Sequence, residues 1–151
     1  KLILNISNHE FSELSFELES NLNLMAEHVL CDHKENYLNI NLKFISSFEM
    51  KKLNKDFRNK NQDTNVLSFP ASKEIQEISG ELGDIAMSIP YIKTESQNLN
   101  RDLEDHMMHL LAHGILHLLG FDHDKETDAN IMESQEIKYL ENFNIANPYK
   151  L

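Results

Sequence analysis

The residues whose types and spacing could do chemistry begin with three histidines in one eleven-residue stretch, HGILHLLGFDH at 113–123. On a helix, residues four apart project from one face, one turn above the other, so His113 and His117 form a pair. Gly120 accepts the left-handed conformation that ends a helix, and the turn it permits brings His123 back over the two. Three neutral imidazoles that leave a fourth position to water follow the open-site pattern of catalytic zinc, one ion per chain. Arg58 is one of only two arginines and lies just before TNVLSFP at 64–70, a segment entering a strand. A guanidinium clamps phosphate in a two-pronged way that lysine does not match. His106 and His109 share the helical arc upstream, either as partners of the ligands, as a proton shuttle, or packed with a satisfied ring nitrogen.

The spacing H-x-x-x-H-x-x-G-x-x-H is also that of the metzincin metalloproteases, whose general-base glutamate follows the first histidine. Gly114 stands there instead, so a peptidase would lack the group that deprotonates its water. Met107, Met108 and Met132 read as packing.

These side chains need a scaffold, and 151 residues are enough for one domain spanning 1–151. Leu2–Ile6 reads as an edge strand, and Ser12 as the cap of a helix over Glu13–Cys31. Tyr37–Ile45 alternates apolar and polar with period two, a strand. Ser47 then caps a helix over Phe48–Phe57. Asn65–Phe69 and Leu82–Met87 are further strands, with Ala71–Glu77 a loop between them. Pro90 suits the first turn of the helix that follows. A long helix over Asp102–Leu119 carries the histidines, and an acidic one runs over Glu126–Asn142. The expected class is α+β: a small mixed sheet of about four strands packed by helices, with the histidine-bearing helix central.

Composition narrows the partners. Twenty-five acids against fourteen bases give −11, which argues against a DNA coat or a membrane-surface binder. No run approaches the length of a membrane span, and no signal-peptide core is visible, so a cytoplasmic location is the expectation. A single cysteine excludes a disulfide framework, and Cys31 reads as a buried, inert thiol. Against the acidic background, Lys43, Lys51, Lys52, Lys55, Arg58 and Lys60 form a local basic stretch, read as one wall of a substrate groove or as a solvated helix face.

HGILHLLGFDH, with LN…FR…TNVLSFP before it and LGDIAMS at 82–88 between them, resembles the bacterial YbeY family. The likeness runs from the strand near position 40 to Asn147-Pro-Tyr. It implies a single-domain metal-dependent endoribonuclease acting on single-stranded ribosomal RNA precursor, with the small ribosomal subunit or its proteins as partners. It also implies zinc held by His113, His117 and His123, and Arg58 as the active-site arginine. Asn65 departs from a common aspartate and Phe121 from a common tyrosine. Asp84 and His109 are the alternatives for the general base. A rival reading is a ribosome-assembly factor whose zinc is structural.

Overall fold

The computed structural model describes residues 2–7 and 14–150. Four strands form one mixed sheet: β1 (Leu4–Ser7), β2 (Asn39–Ile45), β3 (Val66–Pro70) and β4 (Glu81–Ser88), in the order β1-β2-β4-β3. β1 and β4 run parallel to β2, whereas β3 is antiparallel to β4. The expected α+β class and mixed four-stranded sheet are both present. Six helices complete the chain: α1 (Phe16–Asp32), α2 (Ser47–Arg58), α3 (Lys73–Ser79), α4 (Ile89–Asn98), α5 (Leu103–Leu118) and α6 (Glu126–Glu141).

Period two in β2 buries Ile40, Leu42 and Phe44 on one face, where they meet the main core. Leu18, Leu22, Met25 and Val29 form the matching stripe of α1. The other face is covered in part by α2, whose Met50 packs with Ile45, Leu67 and Ala86. α5 packs against β3 and β4 and against α1, α4 and α6, with eleven of its sixteen residues buried. Met107, Met108 and Met132 all pack in this core, as their apolar character suggested.

Gly114 explains how closely α5 approaches the sheet. A Cβ there would stand 3.1 Å from Ser68 Oγ and 3.2 Å from Ile85 Cδ1, and Ser68 Oγ donates to the Gly114 carbonyl at 2.9 Å. The position that holds glutamate in metzincins therefore faces the sheet.

Three readings need correction, and a fourth cannot be compared. Ala71–Glu77 is largely helical: α3 is capped by Ser72, whose hydroxyl accepts from the Ile75 amide at 3.2 Å, and it ends at Gly80. Cys31 is exposed, because it falls off the buried stripe of α1. Ser46, not Ser47, caps α2. Ser12 lies outside the described residues, and α1 begins after Ser15.

Candidate metal centre

Asp102 caps α5 by accepting from the Asp105 amide at 3.0 Å, and the helix then delivers His113 and His117 on one face. It ends in a Schellman turn. The Gly120 amide donates to the His117 carbonyl at 3.0 Å, and the Phe121 amide to the Leu116 carbonyl at 2.9 Å. Gly120 has φ +100°, in the left-handed region that favours glycine. The reversal swings His123 back, so that its ring centroid lies 5.3 Å from that of His113 and 5.0 Å from that of His117. One donor atom from each of the three histidines lies within 4.8 Å of the others.

The ring orientations follow from what stands behind them. His113 Nδ1 donates to Glu136 Oε2 at 2.8 Å, and His117 Nδ1 donates to the Phe121 carbonyl at 3.0 Å. A neutral imidazole has one N–H, so both Nε2 atoms carry lone pairs, and they face each other at 3.1 Å. Two acceptors at that distance repel unless a cation lies between them. Two ligands of a tetrahedral zinc stand about 3.3 Å apart for bonds near 2.05 Å. The donor set therefore fits a metal. Burial and the two neighbouring imidazoles push His117 below the usual histidine range, which favours its neutral, metal-binding form.

Glu136 of α6 is fully buried. Burial alone would raise its pKa. Hydrogen bonds from His109 Nε2 at 2.7 Å, His113 Nδ1 and the Tyr149 hydroxyl outweigh that, and it is held down to about 2. The carboxylate thus backs His113 in the manner of a carboxylate–histidine–metal triad. His109 stands behind this arrangement with both ring nitrogens engaged, its Nδ1 lying 3.4 Å from Arg101 Nη1.

Arg58, the last residue of α2, reaches the same place. The Phe57 ring meets the Phe69 ring edge-on at 5.0 Å and ties this helix end to β3. Asn59, at φ +57°, then turns the chain away. Arg58, Asn65, Ser68 and the three histidines line one open cavity of about 540 Å³, with Asp122 and Asp124 also in its wall. None of the lysines in the basic stretch lines it. Lys51, Lys52, Lys55 and Lys60 are exposed. Lys43 belongs to a separate hollow on the α2 side of the sheet, together with Asp84, which accepts from Asn41 Nδ2 at 3.0 Å. Of the two base alternatives, neither Asp84 nor His109 lines the cavity.

The departures have local explanations. Asn65 Nδ2 donates to Glu95 Oε1 at 3.0 Å, a bond that aspartate cannot supply. The Phe121 ring meets His33 edge-on at 5.4 Å. Sequence reasoning missed Glu136, Tyr149, Glu95 and Arg101. For Glu136 there was a signal, because it sits at i+4 from Met132 in the stripe that α6 buries.

Comparison with known proteins gives a consistent set. A family model described as Endoribonuclease YbeY matches residues 5–144. A protein named Endoribonuclease YbeY from Francisella tularensis subsp. novicida (strain U112) is 39% identical over 121 residues, covering 78% of this chain and 75% of its own. Its namesake from Francisella tularensis subsp. tularensis (strain FSC 198) is also 39% identical, covering 78% of this chain and 72% of its own. The solution structure of TM1509 from Thermotoga maritima superposes with a TM-score of 0.63 at 28% identity, covering 91% of this chain and 87% of that one. Among the described residues no helix is long and apolar enough to cross a membrane.

Proposed function

The chain belongs to the endoribonuclease YbeY family, and on that premise we propose that it is a zinc-dependent enzyme that cuts single-stranded RNA in small-subunit ribosomal RNA maturation and ribosome quality control. The observation that carries the proposal is the convergence on one cavity of three imidazoles, two with their rear nitrogens tied to oxygen acceptors, and of the Arg58 guanidinium.

His113, His117 and His123 would hold the ion, one per chain. When bound, zinc supplies Lewis acidity, polarising a phosphoryl oxygen and lowering the pKa of water toward about 7. Glu136 keeps the His113 proton on Nδ1, and the Phe121 carbonyl does the same for His117, so neither ring turns away from the cavity. Arg58 presents a planar pair of donors to the phosphate oxygens that gain charge in the transition state. By analogy with a lost oxyanion donor, its removal costs roughly 10²–10³ in rate. Substrate approaches from the side of His123, the exposed member of the three. A cavity of about 540 Å³ has room for a phosphodiester and its flanking sugars.

The test measures metal content and RNA cleavage on one preparation. The reading expects about one zinc per chain and cleavage of single-stranded RNA. It expects both to be lost in the His113→Ala, His117→Ala, His123→Ala triple variant, and cleavage alone to be lost in Arg58→Ala. Full zinc content in the triple variant would overturn the ligand assignment. Zinc with no cleavage in the wild type would favour the assembly-factor reading. A large fall in melting temperature for Arg58→Ala would make that arginine a structural residue.

A further inference from the structure

A second polar cluster lies behind the cavity and is built around the other arginine. α4 ends in its own Schellman turn: Asn100, at φ +54°, donates its amide to the Gln97 carbonyl, and the Arg101 amide donates to the Ser96 carbonyl at 2.8 Å. This turn sets Arg101 directly ahead of Asp102, the cap of α5. Its side chain is half-buried against the first turns of α5, with Nη1 at 3.0 Å from His106 Nδ1 and 3.4 Å from His109 Nδ1.

A guanidinium only donates, so each of these Nδ1 atoms must accept. In a neutral ring the proton then sits on Nε2. There both histidines meet carboxylates: His106 Nε2 at 2.7 Å from Glu95 Oε1, and His109 Nε2 at 2.7 Å from Glu136 Oε1. From Glu136 the chain of bonds continues to His113 Nδ1, and from Glu95 to Asn65 Nδ2. One arginine therefore stands at the root of two branches, and each branch ends on a residue that lines the cavity.

We infer that Arg101 is a positioning residue of the metal centre: by holding His106 and His109 in the Nε2–H tautomer it fixes Glu136 behind His113 and Glu95 behind Asn65. The inference rests on the reading of His113 as a metal ligand. Without the guanidinium only the carboxylates favour the proton on Nε2, and a bare, unpaired Nδ1 competes for it in each ring. An Nδ1–H tautomer of His109 would turn a lone pair toward Glu136, and two acceptors would then meet in a fully buried place. Glu136 would shift to escape the repulsion and take the His113 ring with it. His106 agrees with this picture, since burial, with help from the Arg101 charge, keeps it below the usual histidine range and hence neutral.

The test combines ring-nitrogen NMR with zinc affinity. In the zinc-loaded wild type, His106 and His109 are expected to show bare Nδ1 and protonated Nε2. A proton on Nδ1 of either ring would overturn the inference without any variant. In Arg101→Met, an Nδ1–H form is expected to appear beside the Nε2–H form in one or both rings, the Asn65 side-chain amide signals to move, and the zinc dissociation constant to rise about tenfold or more in a chelator competition. A folded Arg101→Met protein with unchanged tautomers or unchanged zinc affinity would also overturn it. If Arg101→Met does not fold, Arg101→Lys serves, because an ammonium lacks the planar pair of N–H groups on one nitrogen. Lys there is expected to weaken zinc binding, and wild-type affinity would count against the inference. If the wild type binds no zinc, the metal reading fails, while the tautomers of the metal-free protein still decide the role of Arg101.

Discussion

At the scale of single residues, the three histidines of the cavity are held by atoms that sequence reading does not reach. The trio is legible because its members lie within eleven positions and helical spacing relates them. Glu136 is 23 residues from His113, and only the packing of α6 on α5 joins them. Replacing it tests the connection. Glu136→Gln keeps the shape but offers one acceptor oxygen where three donors converge. Zinc affinity should fall about 10–100-fold in a chelator competition, and unaltered affinity would show that His113 needs no such support. Asn65 provides a second test. Asn65→Asp places a carboxylate against Glu95, now 3.0 Å from the amide nitrogen. Metal-free melting temperature should drop at neutral pH and recover in part in acid, where a proton shared by the two facing carboxyls relieves their repulsion. A drop that does not depend on pH would point to lost packing instead.

At the scale of elements, most of the fold was readable wherever burial imposes a period. β2 and α1 show their periods plainly, and α5 announces both ends, with Asp102 at one and Gly120 at the other. α3 escaped because none of its residues is buried, so no apolar period marks it, and its two turns rest on the caps at Ser72 and Gly80. Cys31 was misplaced through residue type alone, although the stripe of α1 puts it outside. Two glycines of the histidine segment make separate predictions. Gly120→Ala forces a side chain into φ +100° and should cost about 1–2 kcal/mol in thermal or denaturant unfolding. Because that turn carries His123, zinc affinity should suffer more than stability; the reverse order would mean the turn relaxes without moving the ring. Gly114→Glu restores the metzincin letter but crowds a Cβ against Ser68 Oγ and Ile85 Cδ1 and forces the rest of a charged side chain into the buried face between α5 and the sheet. It should unfold the protein or strip it from the soluble fraction, and should create no peptidase activity on casein.

At the scale of the whole molecule, charge is divided unevenly. A chain of −11 must attract RNA through local features, and the exposed Lys51, Lys52 and Lys55 lead along α2 toward Arg58. If these three, Lys60 and Arg58 contact a single strand, the logarithm of affinity should fall with the logarithm of salt at a slope of roughly −2 to −3.5, given about −0.7 per phosphate neutralised. Reversing Lys51 and Lys55 to glutamate should flatten that slope and weaken binding alike on unrelated sequences. An unchanged slope would leave these lysines as a solvated helix face. The histidine segment, finally, bears on how the molecule comes together. All three imidazoles belong to one short stretch, and closing so small a loop costs little chain entropy. If the trio binds zinc as proposed, an unfolded or half-made chain keeps some grip on the ion, well before α2 brings Arg58 or α6 brings Glu136. Metal held by both states stabilises the native one by only the difference between the two affinities. On the proposed ligand set, zinc capture would precede folding, and the later arrival of the distant elements would turn a local chelate into an enzyme.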